Sequence, residues 1–67
     1  MTAAEKVKKY CEGHGLAHRE FADKIGMTEV GMSRFIRGER LPKVTYLKNI
    51  AMVLGITLDN LLEGEQE

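Results

Sequence analysis

The chain has little of what several protein classes require. It holds a single cysteine in 67 residues, so no intrachain disulfide can form, and a reducing compartment suits it. It has one proline, and its seven glycines stand mostly alone between periodic segments, which reads as punctuation rather than flexible linker. No apolar run approaches the ~18 residues of a membrane span, and no charged-then-apolar leader is present. No stretch alternates polar and apolar with period two, so nothing predicts a sheet. Net charge is absent too, with 10 basic and 10 acidic side chains. Neutrality alone argues against a nucleic-acid partner. The expectation is one small cytoplasmic domain, near the lower size limit for folding on a hydrophobic core.

The distribution of charge says more than the total. Asp59, Glu63, Glu65 and Glu67 close the chain with no base among them, which leaves residues 1–58 with 6 acids against 10 bases. Arg34, Arg37, Arg40, Lys43 and Lys48 fall in one short stretch, opposed only by Glu39. Such a cluster is either a solvated surface or a basic face, and segregation of this kind permits the second despite the neutral sum.

Apolar spacing predicts five helices. Thr2 and Glu5 fit a capping box, after which Val7, Tyr10, Cys11 and His14 form one stripe. The second helix runs from about Arg19, or a residue or two earlier, to Ile25. Leu16 and Phe21 staple around Ala17, a poor cap because it has no side-chain acceptor. Gly26 suits the left-handed residue that ends a helix, and Thr28 caps the third, which carries Met32 and Phe35 inward, with Ile36 either thickening the core or forming an apolar surface contact, and stops at Gly38. Pro42 suits the start of a fourth helix with a stripe of Val44, Leu47, Ile50, Ala51 and Leu54. Thr57 caps a short fifth helix with Leu58, Leu61 and Leu62, ending at Gly64. Residues 1–64 form one domain and 65–67 a short acidic tail. The second and third helices, joined by Gly26-Met27-Thr28, are too tightly linked to lie as a long hairpin and should cross steeply as a helix-turn-helix.

Two chemical readings fail on these residues. Cys11, His14 and His18 have the spacing C-x2-H-x3-H, but glycines interrupt the helix and no fourth ligand is evident, so structural or surface roles are favoured over a metal site. No nucleophile, base and orienter set appears and no Gly-rich phosphate loop follows a strand, so the chain does not read as an enzyme. Neither a cofactor nor a small-molecule ligand is indicated.

The pattern resembles the lambda-repressor-like, XRE-type helix-turn-helix regulators over about Val7 to Gly64. The resemblance rests on Gly15-Leu16, Glu20-Phe21-Ala22, Lys24-Ile25-Gly26, Thr28, Met32-Ser33-Arg34, Arg37-Gly38, Pro42, Leu47, Ile50-Ala51, Leu54-Gly55, Asp59 and Leu61-Leu62. It implies a compact all-α five-helix domain that binds double-stranded DNA, acting as a homodimer and a repressor, with the third helix in the major groove. It implies base-reading roles for Thr28, Glu29, Val30, Ser33 and Arg34, the last able to reach a guanine edge or a phosphate, and phosphate-binding roles for His18, Arg37, Arg40 and Lys43. His18 stands where the family commonly has glutamine, and its ring nitrogen can still donate to phosphate. Glu29 departs from the polar or basic residues often found there, although a carboxylate can accept from the cytosine amino group. Glu39 breaks the basic pattern of the following loop. Arg37 has a second reading, as the residue that ties that loop to its helix. The alternative function is a protein-interaction module on the same scaffold, favoured by Glu29, Glu39 and the acidic end of the chain.

Overall fold

The computed structural model describes residues 1–65; Gln66 and Glu67, two of the three tail residues, lie outside the described part. Five helices run in the order α1 (Ala3–His14), α2 (His18–Ile25), α3 (Glu29–Ile36), α4 (Val44–Leu54) and α5 (Leu58–Leu62), followed by a 3-10 turn at Glu63–Glu65. No strand occurs among the described residues.

Local chemistry sets the helix ends. At α1, the Thr2 hydroxyl accepts from the Glu5 N–H at 3.2 Å while the Glu5 carboxylate accepts from the Thr2 N–H at 2.7 Å. The backbone N–H and then the hydroxyl of Thr2 hold the Glu5 carboxyl below its ordinary value. At α2 only half of this box exists. The Glu20 carboxylate accepts from the Ala17 N–H at 2.8 Å, and Ala17 has no side-chain oxygen to return the bond. At α3, the Thr28 hydroxyl accepts from the Gly31 N–H at 3.0 Å.

The corner between α2 and α3 is fixed from both sides. Gly26 has φ +78°, a conformation that would strain any residue with a Cβ, and the Met27 N–H reaches back to the Ala22 carbonyl at 2.9 Å. From across the core, the Asn49 side chain of α4 donates to the Ile25 carbonyl at 3.3 Å. Phe21, Ala22 and Ile25 of α2 meet Met32, Phe35 and Ile36 of α3, and Val7, Cys11, Leu47, Ile50 and Leu61 close the core around them. Full burial of side chains such as Phe21 and Phe35 contributes roughly 1.5–3 kcal/mol each. Burial pushes the Cys11 thiol above its ordinary value of 9.0.

Three expectations need correction. Val44, expected on the core stripe of α4, is 56% exposed, because it is the first residue of the helix and the inward row begins only at Leu47. Pro42 precedes that cap rather than opening the helix. His14 is not on the buried stripe: it is exposed and stacks on Tyr10 at a ring separation of 4.0 Å, while Ala3 and Ala4 fill the core in the first turn instead.

The two ends of the described chain hold each other. The Glu65 carboxylate accepts from the Ala3 N–H at 2.7 Å, taking one of the free donors at the start of α1. Lys6 donates to the Asn60 carbonyl near the end of α5. Glu65, counted with the tail in the sequence, thus lies in the final turn and touches α1.

Candidate nucleic-acid interface

α3 turns three side chains into the core, Met32, Phe35 and Ile36, and the 3.6-residue period sends the others outward. Thr28, Glu29, Val30, Ser33 and Arg34, the five sequence-assigned base readers, are all exposed, and Val30 is 64% exposed although apolar. An exposed valine on a short helix otherwise rich in polar outward groups has no partner within the fold. The Thr28 oxygen is occupied as the helix cap, which leaves its O–H free to donate.

Two grooves flank this helix. On one side lie His18 and Arg19 from the start of α2 with Glu29, Ser33 and Arg37 from α3. Two arginines and the His18 imidazole line it together with one carboxylate, Glu29. On the other side Thr28, Gly31 and Arg34 of α3 face Arg40, Lys43 and Tyr46 from the next loop and α4. No carboxylate lines that second groove. The four phosphate-assigned residues therefore divide, His18 and Arg37 to one flank and Arg40 and Lys43 to the other.

Arg37 is already engaged. Its Nε lies 2.8 Å from the Glu39 carboxylate, with both side chains more than half exposed. A pair so exposed contributes no more than about 1 kcal/mol, so the guanidinium can be drawn away by a stronger anion. The loop that carries Glu39 is shaped by Gly38, at φ +76°, and by the Glu39 N–H donating to the Arg34 carbonyl at 3.0 Å.

Gly31 also finds its explanation locally. A Cβ at this position would meet the Thr28 Oγ1 at 3.1 Å and the Met27 methyl at 3.4 Å. Glycine leaves room for the cap and for Met27, which packs against the core edge.

Sequence reasoning passed over Arg19 and Tyr46. Arg19 follows His18 in the first turn of α2 and reaches the groove beside Glu29. Tyr46 stands one turn after Lys43, a relation that the correct start of α4 would have disclosed. The C-x2-H-x3-H residues do not converge on the interface: Cys11 is buried in the core, His14 rests on Tyr10, and only His18 faces the α3 flank. Among the described residues, no three histidine, cysteine or carboxylate side chains are grouped to hold a metal. No described helix is long and apolar enough to cross a membrane.

An outward polar row on α3, set between two cation-lined grooves and preceded by a tight glycine corner, defines the class: a helix-turn-helix domain. The chain belongs to the XRE-type helix-turn-helix family, whose model, described as helix-turn-helix, matches residues 7–61. This is a family of DNA-binding transcriptional regulators, and its members bind double-stranded DNA. Among curated proteins, the chain is 36% identical over 62 residues to the uncharacterized HTH-type transcriptional regulator YqaE of Bacillus subtilis, covering 92% of this chain and 53% of that one. It is 30% identical over 60 residues to the SPbeta prophage-derived uncharacterized HTH-type transcriptional regulator YonR of the same organism, covering 90% of this chain and 56% of the relative. It is 27% identical over 66 residues to the HTH-type transcriptional activator BcrR of Enterococcus faecalis, covering 98% of this chain and 32% of the relative. The chain thus spans about half the length, or less, of these relatives. No solved structure matches it.

Proposed function

We propose that this chain is the sequence-specific DNA-reading unit of a transcriptional regulator, and that it works as a homodimer with α3 of each copy in successive major grooves. The observation that carries the reading is the outward row of α3, where Glu29, Val30, Ser33 and Arg34 are exposed together between the two basic grooves. Val30 offers a methyl surface to a thymine methyl, Glu29 an acceptor to a cytosine amino group, and Arg34 a bidentate donor to guanine. Thr28 and Ser33 supply hydroxyls that pair with either base type. His18, Arg37, Arg40 and Lys43 grip phosphates on the two flanks and fix the register of the helix. Half-site centres in a dimer lie about 34 Å apart, one turn of duplex.

Repression is the sign proposed, because a domain seated on promoter DNA blocks it without touching polymerase. One relative carries the name of an activator, so the sign is tested directly with a reporter whose promoter overlaps the selected site. Expression that falls when the protein is supplied supports repression, and expression that rises overturns it.

Affinity for duplex DNA measured against salt tests the grip. Three to four phosphate contacts per protomer give a log–log slope of about −3, doubling in a dimer. A slope near zero would contradict the arrangement and favour a protein-interaction module on the same scaffold. Sedimentation tests the dimer, which needs an apolar face such as the fifth helix or Met52, 77% exposed in the last turn of α4. A protein that remains a monomer when bound to a full site would remove the two-fold geometry.

A further inference from the structure

The groove between α3 and the loop leading to α4 has more in it than a phosphate contact uses. It is a half-open groove of about 200 Å³. Arg34, Arg40 and Lys43 bring three cations to it, and no carboxylate offsets them. The remaining wall is largely apolar or aromatic: Met27, Leu41 and Pro42, with the half-buried Tyr46. Leu41 is 45% exposed there and has no full cover from the fold. Gly31 contributes no side chain on the α3 side, so the wall recedes at that point.

A bare phosphate needs only the cations, and contact with apolar wall gives it nothing. A molecule with a flat apolar body and one carboxylate uses both parts. For scale, an apolar cavity of roughly 150 Å³ is enough to take benzene, so the volume here accommodates one aromatic ring with a carboxylate. The geometry points to this groove as a binding site for a small aromatic carboxylate, whose ring lies against Leu41, Pro42 and Tyr46 while its carboxylate pairs with Lys43 and the two arginines. Arginine can serve the ring as well as the charge, by stacking over its face.

The site carries a regulatory consequence that rests on the DNA-reading proposal. Arg34, Arg40 and Lys43 are the groups offered to DNA on this flank, so a bound carboxylate and a bound duplex compete for them. Occupancy of the groove lowers DNA affinity by direct exclusion, without a conformational change.

The test uses benzoate as the probe, with benzyl alcohol supplying the ring alone and acetate the charge alone. Each is titrated into the isotope-labelled chain at constant ionic strength, and backbone amide shifts are followed by NMR. Benzoate is expected to saturate with a dissociation constant of about 1 mM, the range open to so small a ligand, and to move Gly31, Leu41, Lys43 and Tyr46 together. Acetate and benzyl alcohol are expected to bind at least tenfold more weakly. Leu41→Ser and Lys43→Gln, both at exposed positions that spare the core, each weaken benzoate several-fold without altering the circular dichroism. Acetate as good as benzoate, or benzoate shifts that never saturate or fall elsewhere, would overturn the site. A second arm measures duplex affinity with and without saturating benzoate. A fall in affinity supports competition, and an unchanged affinity overturns it. If benzoate saturates the groove but no duplex binds at any salt, the ligand site stands and the DNA reading falls. If duplex binds but benzoate does not, the reverse holds.

Discussion

Single side chains carry the departures from a generic basic reader, and three of them make separable predictions. Glu39 holds Arg37 through a solvent-exposed ion pair, and on the proposed reading it competes with DNA phosphate for that guanidinium. Glu39→Gln is expected to raise affinity for unspecific duplex by no more than about fivefold, the release of an exposed pair that contributes no more than about 1 kcal/mol. Arg37→Ala in the same assay should remove that gain and flatten the salt slope by about 1, the loss of one phosphate contact, and an unchanged slope in Arg37→Ala would show that Arg37 does not reach phosphate. Gly31→Ala is expected to stabilise by less than the roughly 1 kcal/mol that alanine normally gains over glycine in a helix, because its Cβ crowds the Thr28 cap. Urea unfolding measures this, and a full gain would mean that the cap shifts freely. Cys11 gives a pH dependence. Its folded value is raised by burial above 9.0, so its contribution is intact below pH 9 and is lost as pH rises from there through the folded value. Unfolding midpoints that decline above pH 9 in the natural chain and less so in Cys11→Ala would confirm the buried thiol. Of these features, the pairing of Glu39 with Arg37 and the crowding at Gly31 were not legible in the sequence, because both depend on where particular side-chain atoms come to rest.

At the scale of elements, the helix ends were readable because capping is written in residues only a few places apart. Thr2 with Glu5, Thr28, Thr57 and the left-handed Gly26 after α2 all stand where the periodicity put them. The start of α4 was not readable: Pro42 suits a first turn, but the helix waits for Lys43 to cap it, and this turns Val44 outward and Tyr46 toward the groove. The start of α2 is only half capped. Ala17 already has the extended backbone of a cap, φ −72° and ψ 150°, and Glu20 already closes its half of the box. Ala17→Ser should therefore complete the box and stabilise the domain by about 1 kcal/mol. In a thermal scan that is a rise of about 4–8 °C for a chain of this size. No rise would mean that the α2 N–H groups are already satisfied by water at no loss.

For the molecule as a whole, neutral charge pointed away from nucleic acid, whereas the fold gathers bases from three separate segments around one helix. Arg19 from α2, Arg34 and Arg37 from α3 and its end, and Arg40 and Lys43 from the loop share that side. Sequence spacing could show that the bases between Arg34 and Lys48 are dense, but not that they divide into two grooves, since each groove is lined by residues from different elements. On the proposed reading the division matters because it offers α3 a grip on both flanks, which a reader needs before its base contacts can discriminate. The most direct test of that claim is selection from a random duplex pool, carried out with the natural chain, Arg34→Ala and Glu29→Ala. The natural chain is expected to enrich a palindrome with half-sites one turn apart, Arg34→Ala to lose preference at one base pair at a discrimination of about 1–3 kcal/mol, and Glu29→Ala to relax a different one. Enrichment of no motif, or of the same motif undiminished by both substitutions, would contradict a reading role for α3.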